Sequence, residues 1–134
     1  MSTENNYIPG TCNIGNEQLK KRKRFLAACI VTTVLLITFQ LIFHSGKMWR
    51  LFMFIPFAIT SVAVQQVLYK FCYRFGLTGL YGFGKVGYDT KVEGNHFREL
   101  DRKKSKKMIV SSVLIGLILT YVYYSVFQTI CIFC

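Results

Sequence analysis

Residues 20–43 read KKRKRFLAACIVTTVLLITFQLIF, and this stretch decides the fold. Five consecutive Lys and Arg residues (20–24) stand directly before 19 residues (25–43) that contain no Asp, Glu, Lys, Arg or His. A helix that crosses a bilayer needs about 20 predominantly apolar residues. Residues 25–43 are therefore predicted to form a first transmembrane helix (TM1).

Two further apolar stretches follow the first one. Residues 51–69 (TM2) and 108–134 (TM3) also lack Asp, Glu, Lys, Arg and His. The three stretches predict an all-α membrane protein with three transmembrane helices in one membrane domain, because the rest of the 134-residue chain is too short for a separate soluble core. We do not expect TM1 to be a cleaved signal peptide, since it ends Leu41-Ile42-Phe43-His44 without the small residues of a cleavage site.

Positive charge is distributed unevenly over the connecting segments. Residues 1–24 carry five Lys and Arg, residues 70–107 carry ten, and residues 44–50 carry two. The side of a membrane protein that is richer in Lys and Arg faces the cytoplasm. We therefore expect a cytoplasmic N-terminal segment (1–24), an outer hairpin (44–50), a basic cytoplasmic loop (70–107) and a C-terminus on the outer side.

Two residues carry expectations about the ends and bends of the helices. Asn16 is a residue type that caps helix N-termini, so we predict a helix that starts there, includes Gln18–Arg24 and continues into TM1. Pro56 removes a backbone donor from TM2 and is expected to bend it.

A row of small residues repeats at every fourth position of TM3: Ser112, Gly116 and Thr120. Such a row allows another helix to approach closely. The approaching helix is either TM1 or TM2 of the same chain or a helix of another subunit, and the sequence favours neither alternative.

The cytoplasmic loop begins with a region rich in glycine and aromatic residues. Within it, Gly82-Phe83-Gly84-Lys85-Val86-Gly87 matches the string G-x-G-x-x-G. A dinucleotide site also needs a preceding strand and a βαβ unit, whereas this region directly follows a predicted membrane helix. We therefore predict no cofactor and no small-molecule substrate, and expect turns that lie against headgroups or a partner.

The second half of the loop carries a cluster of cations directly before TM3: Arg98, Arg102, Lys103, Lys104, Lys106 and Lys107. A juxtamembrane cluster of this kind attracts anionic lipid headgroups. It can also bind RNA, as on a ribosome docked at a membrane channel, or an acidic protein surface. These three kinds of partner stay open.

Cys131 and Cys134 form a C-x-x-C pair at the predicted outer end of TM3. On an oxidising side of the membrane they could form a disulfide. A reactive thiolate is usually stabilised by a cation or by a helix N-terminus, and this pair lies at a helix C-terminus instead. Cys12, Cys72 and His96 are too widely spaced to indicate a zinc site, so no metal is predicted.

The opening Thr11-Cys12-Asn13-Ile14-Gly15, followed by a basic block and a span, resembles the start of small bacterial membrane proteins that carry no assigned activity. The resemblance covers roughly the first 30 residues and transfers no residue role. It implies a bacterial inner membrane and an ordered turn at residues 12–15 that packs against a partner.

No catalytic constellation can be assembled from these residues. We therefore expect a non-catalytic accessory subunit of a larger inner-membrane complex that contacts other integral membrane subunits. A secretion or translocation assembly, and hence protein transport, fits the basic cytoplasmic face. The alternative is a small membrane thiol-redox protein that uses Cys131 and Cys134. A self-assembling channel or transporter would need a polar path across the bilayer, and a proton relay would place ionisable residues in the spans.

Overall fold

Three long helices dominate the chain. A computed structural model describes residues 7–43, 46–85 and 87–133, with side chains as far as residue 130. The elements are α1 (Asn16–Ile42), α2 (Lys47–Leu51), α3 (Phe54–Leu68), α4 (Tyr73–Thr78), β1 (Leu80–Tyr81), β2 (Thr90–Lys91) and α5 (Asn95–Phe133). Three helical segments are long and apolar enough to cross a membrane, namely α1, α2 together with α3, and α5. The prediction of a mostly helical chain with three such segments is confirmed.

α3 lies between α1 and α5. It packs tightly against α5 at Gly116, where an added Cβ would lie 3.0 Å from the Cβ of Ala58. Ser112 and Thr120, on the same face as Gly116, are 1% and 7% exposed. The row of small residues therefore packs within the chain, which is one of the two alternatives left open by the sequence.

The second apolar segment is interrupted near its start. α2 ends at Leu51 and α3 begins at Phe54, so Pro56 lies in the first turn of α3. Proline is tolerated there because the first turn has no intrahelical acceptor for its missing N–H. The carbonyl of Phe52 accepts instead from the N–H of Ile55 at 3.1 Å. The α-helical hydrogen-bond pattern is thus interrupted at Phe52 and Met53, just before Pro56, and the bend itself stays a prediction.

α1 begins one residue earlier than its predicted cap implies. Asn16 is the first helical residue and Gly15 precedes it without a side-chain cap, so the prediction of Asn16 as N-cap is wrong. The backbone of Gly15 sets the start, because its N–H donates to the carbonyl of Gly82 (2.8 Å) and its carbonyl accepts from the N–H of Leu19 (2.9 Å). The expected continuation of the helix through Gln18–Arg24 is confirmed.

Residues 70–107, predicted to be a loop, contain regular structure. β1 and β2 form a two-stranded antiparallel ribbon, with Leu80 opposite Lys91 and Tyr81 opposite Thr90. α5 begins at Asn95, so the whole basic cluster belongs to the helix that continues as the third apolar segment. At about 1.5 Å per residue, this helix is about 58 Å long, roughly twice the thickness of a bilayer's hydrocarbon core.

The parts of the chain that carry most of the cations fold together. We call residues 7–24, 69–85 and 87–107 the basic end. Its buried side chains are both apolar and polar: Asn13, Ile14, Gln18, Phe71, Cys72, Val92, Asp101 and Ser105. Gly76 lies among them with no space for a side chain, because an added Cβ would run into the hydroxyl of Ser105. The basic end is therefore a packed unit.

Candidate functional site

The side chain of Asn13 holds the N-terminal segment in the basic end. Its Nδ2 donates to the carbonyl of Cys72 (3.1 Å) and its Oδ1 accepts from the N–H of the same residue (2.7 Å). The carbonyl of Asn13 accepts from the N–H of Gly82 (3.0 Å), and Asn13 is fully buried. The turn predicted at residues 12–15 therefore packs against the chain itself, and a contact there with a partner stays a prediction.

A second connection centres on Asp101 of α5. Its Oδ2 accepts from the hydroxyl of Tyr7 (2.7 Å) and its Oδ1 from the N–H of Gly10 (2.6 Å). Tyr7 also stacks on Tyr81, with ring centroids 4.8 Å apart. Burial and the neighbouring carboxylate of Asp101 raise the pKa of Tyr7 above that of an ordinary tyrosine. The one buried acid of the described residues thus fastens the N-terminal segment to α5.

The six cations predicted to bind lipid or a partner lie on two sides of α5. The buried stripe of this helix runs through Asp101, Ser105 and Met108. At about 100° per residue, the cations fall on either side of that stripe. We call one set the pocket face, which consists of Lys103, Lys104 and Lys107. We call the other set the outer face, which consists of Arg98, Arg102 and Lys106.

The outer face combines a structural arginine with two exposed cations. The Nε of Arg98 donates to the carbonyl of Val92 at 2.8 Å, which ties α5 to the ribbon. Its side chain also covers Gly79, whose φ of +70° favours glycine. Arg102 and Lys106 are exposed. They are the cations of the outer face that a partner can reach.

The pocket face borders a cavity of about 530 Å³ where the basic end meets the apolar helices. The cavity is lined by Gly10, Gln65, Tyr69, Lys103, Lys104, Lys107, Met108 and Ser111. The Nζ of Lys104 lies 4.9 Å from the ring centroid of Tyr69 and donates to the carbonyl of Thr11 (3.3 Å). Partial burial lowers the pKa of Lys104. Lys103 pairs with Glu99 at 2.9 Å, and both side chains are exposed.

An apolar groove between α3 and α5 continues from this cavity along the helices. It encloses about 460 Å³ and shares Gln65, Tyr69 and Ser111 with the cavity. Its other lining residues are Phe57, Thr60, Ser61, Val64, Leu68, Ile115 and Leu119. We call this feature the α3–α5 groove. The cavity that carries the cations is thus continuous with the apolar α3–α5 groove.

Polar side chains between the apolar helices hydrogen-bond to one another. Gln65 donates to the hydroxyl of Ser112 (2.9 Å) and accepts from that of Ser111 (3.1 Å). Gln40 similarly accepts from the hydroxyl of Tyr123 (2.9 Å) and donates to the carbonyl of Trp49 (3.0 Å). These polar atoms are occupied by structural bonds.

The string Gly82–Gly87 does not lie in a nucleotide-binding context. The strand before it, β1, has two residues, and the chain continues into β2 and not into a helix. Val86 lies outside the described residues. Among the residues with described positions, no three His, Cys, Asp or Glu side chains come together as a metal site.

The structure describes the side chains of three of the five cysteines. The proposed disulfide between Cys131 and Cys134 falls outside the residues whose side chains are described. Cys12, Cys29 and Cys72 are free thiols. Cys72 is buried, and its Sγ accepts a hydrogen bond from the Nη2 of Arg22 at 3.0 Å.

No protein-family model, curated protein or solved structure matches this chain. The function has to be inferred from the site itself. The sequence pointed to the cations of the cavity but did not assign Gln65, Tyr69 and Ser111 to the same site. These three residues could have been found from the sequence, because Gln65 and Tyr69 lie near the end of one apolar segment, Ser111 lies near the start of the next, and both of these ends adjoin residues 70–107.

Proposed function

We propose that this protein is a non-catalytic accessory subunit of a larger complex in a bacterial inner membrane. In this proposal the basic end faces the cytoplasm, and the outer-face cations contact an acidic surface of another integral membrane subunit. A secretion or translocation assembly is a host of the right kind, because its cytoplasmic side handles charged macromolecules.

One observation carries this proposal. Arg102 and Lys106 are exposed on a helix that is held in place by partly buried hydrogen bonds to Tyr7, Gly10 and Val92, the residue directly after β2. Two cations on a rigid helix lose less backbone freedom on docking than cations on an unstructured loop would. The arrangement therefore suits recognition of a defined partner surface.

The apolar helices support a role without transport or catalysis. Residues 25–43, 54–68 and 108–130 contain no Asp, Glu, Lys, Arg or His. Gln40 and Gln65 hydrogen-bond to neighbouring helices and do not line a polar path. Ionisable groups within spans are the usual mark of proton and ion pathways, and these spans carry none.

Site-specific photocrosslinking in living cells tests the proposed role. A photoreactive residue placed at Arg102 or Lys106 is expected to yield one discrete cross-linked membrane protein, identified by mass spectrometry. The same residue at Val110, an exposed apolar position further along α5, serves as the control for random encounters. A photoreactive residue at Lys106 is expected to lose that product when Arg102 is replaced by Glu.

The contrary outcome is equally clear. A protein that purifies alone from mild detergent and gives no discrete product from Arg102 or Lys106 is not an accessory subunit. A product that disappears on nuclease treatment would replace the protein partner with RNA. Labelling of a single introduced cysteine at Lys106 from one side of the membrane checks the proposed orientation, since only inside-out vesicles should react.

A further inference from the structure

The cavity and the α3–α5 groove together match the two halves of a phospholipid. The cavity offers three ammonium groups next to the apolar helices, and the groove offers an apolar surface that continues from it. Lys107 forms no hydrogen bond or ion pair among the described residues, so its charge is available to a ligand. Lys104 is partly desolvated between Tyr69 and Thr11, where an anion would offset the lost hydration.

The dimensions of the groove fit one leaflet. Along α3 it runs from Leu68, next to the cavity, to Phe57. These 12 residues rise about 17 Å at 1.5 Å per residue, close to half of the roughly 30 Å hydrocarbon core. An acyl chain that starts at the cavity would therefore end near the middle of the bilayer.

From this geometry we infer that the site binds one anionic glycerophospholipid, with its phosphate at Lys103, Lys104 and Lys107 and one acyl chain in the α3–α5 groove. The ligand is a lipid and not a free phosphate, because the groove supplies as much of the site as the cations do. This site goes beyond the accessory role and does not depend on it. It requires only that the three apolar helices lie in a membrane.

Native mass spectrometry of the full chain in detergent tests the site with phosphatidylglycerol and phosphatidylcholine as probes. We expect one phosphatidylglycerol per protein, retained in preference to phosphatidylcholine. Each cation near a membrane surface contributes about 1 kcal/mol toward an anionic lipid, so Lys104→Gln with Lys107→Gln should lower that preference about 30-fold. The matched pair Arg102→Gln with Lys106→Gln removes two charges from the same helix and should keep it.

A second variant tests the groove without changing charge. Val64→Trp fills the α3–α5 groove and should reduce retention of phosphatidylglycerol, whereas Val122→Trp on an exposed part of α5 should not. Dihexanoyl phosphatidylglycerol should displace the bound lipid, while glycerol phosphate at the same concentration should not.

Four results would overturn the site. Equal retention of the two lipids, or an equal loss in the two charge pairs, would mean that diffuse surface charge attracts the lipid. Displacement by glycerol phosphate would mean that a soluble phosphate is the ligand. Unchanged retention in Val64→Trp would remove the acyl chain from the groove.

Discussion

The basic end and the apolar helices are assembled by different kinds of contact. In the basic end, hydrogen bonds join segments far apart in sequence, such as Asn13 with Cys72 and Tyr7 with Asp101. The apolar helices are joined mainly by close packing, as at Gly116 against Ala58, with a few polar pairs between them. The basic end is therefore held together mainly by hydrogen bonds, and the apolar helices mainly by close packing of side chains.

The difference follows from what each region must satisfy. Non-helical backbone in the basic end has buried N–H and C=O groups that need hydrogen-bond partners. The side chain of Asn13 accepts from the N–H of Cys72 and donates to its C=O. A helix within hydrocarbon satisfies its own backbone, so its side chains only have to pack. Removal of one polar side chain should therefore lower the free energy of unfolding more in the basic end than between the apolar helices.

The strongest test of this difference is Asn13→Ala. The substitution leaves the buried N–H of Cys72 without a partner, at about 1–3 kcal/mol, and removes one of two hydrogen bonds to its carbonyl, which still accepts from the N–H of Gly76. We expect a loss of about 2–4 kcal/mol in unfolding free energy, measured by thermal or denaturant unfolding in detergent. Asn16→Ala is the matched control, because Asn16 is exposed and caps nothing.

The intermediate test is Gln65→Ala. It removes two side-chain hydrogen bonds between α3 and α5, and such bonds between membrane helices average about 0.6 kcal/mol each. We expect a loss of about 1 kcal/mol in the same unfolding assay. Gln128→Ala at an exposed position should change little. A loss in Gln65→Ala as large as that in Asn13→Ala would erase the distinction between the two regions.

The smallest test is Tyr7→Phe, which removes the hydroxyl bonded to Asp101 while the ring stays on Tyr81. Since Tyr7 is partly exposed, we expect a loss of about 1 kcal/mol or less at neutral pH. The pKa of Tyr7 is raised on folding, so its contribution is complete below the unfolded pKa of about 10 and is lost as pH rises through the folded value.

The measurement for Tyr7→Phe is the melting temperature between pH 7 and alkaline pH. The native chain should lose stability above about pH 10 more steeply than the variant, because the variant has no phenol to ionise at that position. Parallel curves of melting temperature against pH for the two proteins would show that the hydrogen bond from Tyr7 to Asp101 does not contribute to stability.

Local patterns in the sequence were enough to predict the three apolar helices. Residues 25–43, 51–69 and 108–134 carry their signal in consecutive residues, and the charge cluster before the third segment is equally local. The continuation of α1 through Gln18–Arg24 also followed from local propensity. The exact start of α1 did not, because Gly15 is fixed by Gly82, a residue far along the chain.

The basic end could not be predicted in the same way. Glycines and aromatic residues in residues 70–94 suggest turns, but the turns are set by contacts with Asn13, Asp101 and Ser105. The cavity has the same origin, since the register of α5 against α3 decides which lysines face Gln65 and Tyr69. The six cations are one cluster in the sequence, and their division into two faces follows from the helix.

The distance in sequence between Tyr7 and Asp101 has a consequence for biosynthesis. Residues 7–15 leave the ribosome before the residues that they contact: Asn13 bonds to residues 72 and 82, and Tyr7 and Gly10 bond to Asp101. At roughly 5–20 residues per second, the segment waits about 5–20 s for its last partner. These contacts therefore form only after α5 has been synthesised as far as Asp101, and a chain that stops earlier leaves residues 7–10 without their partners and open to proteolysis.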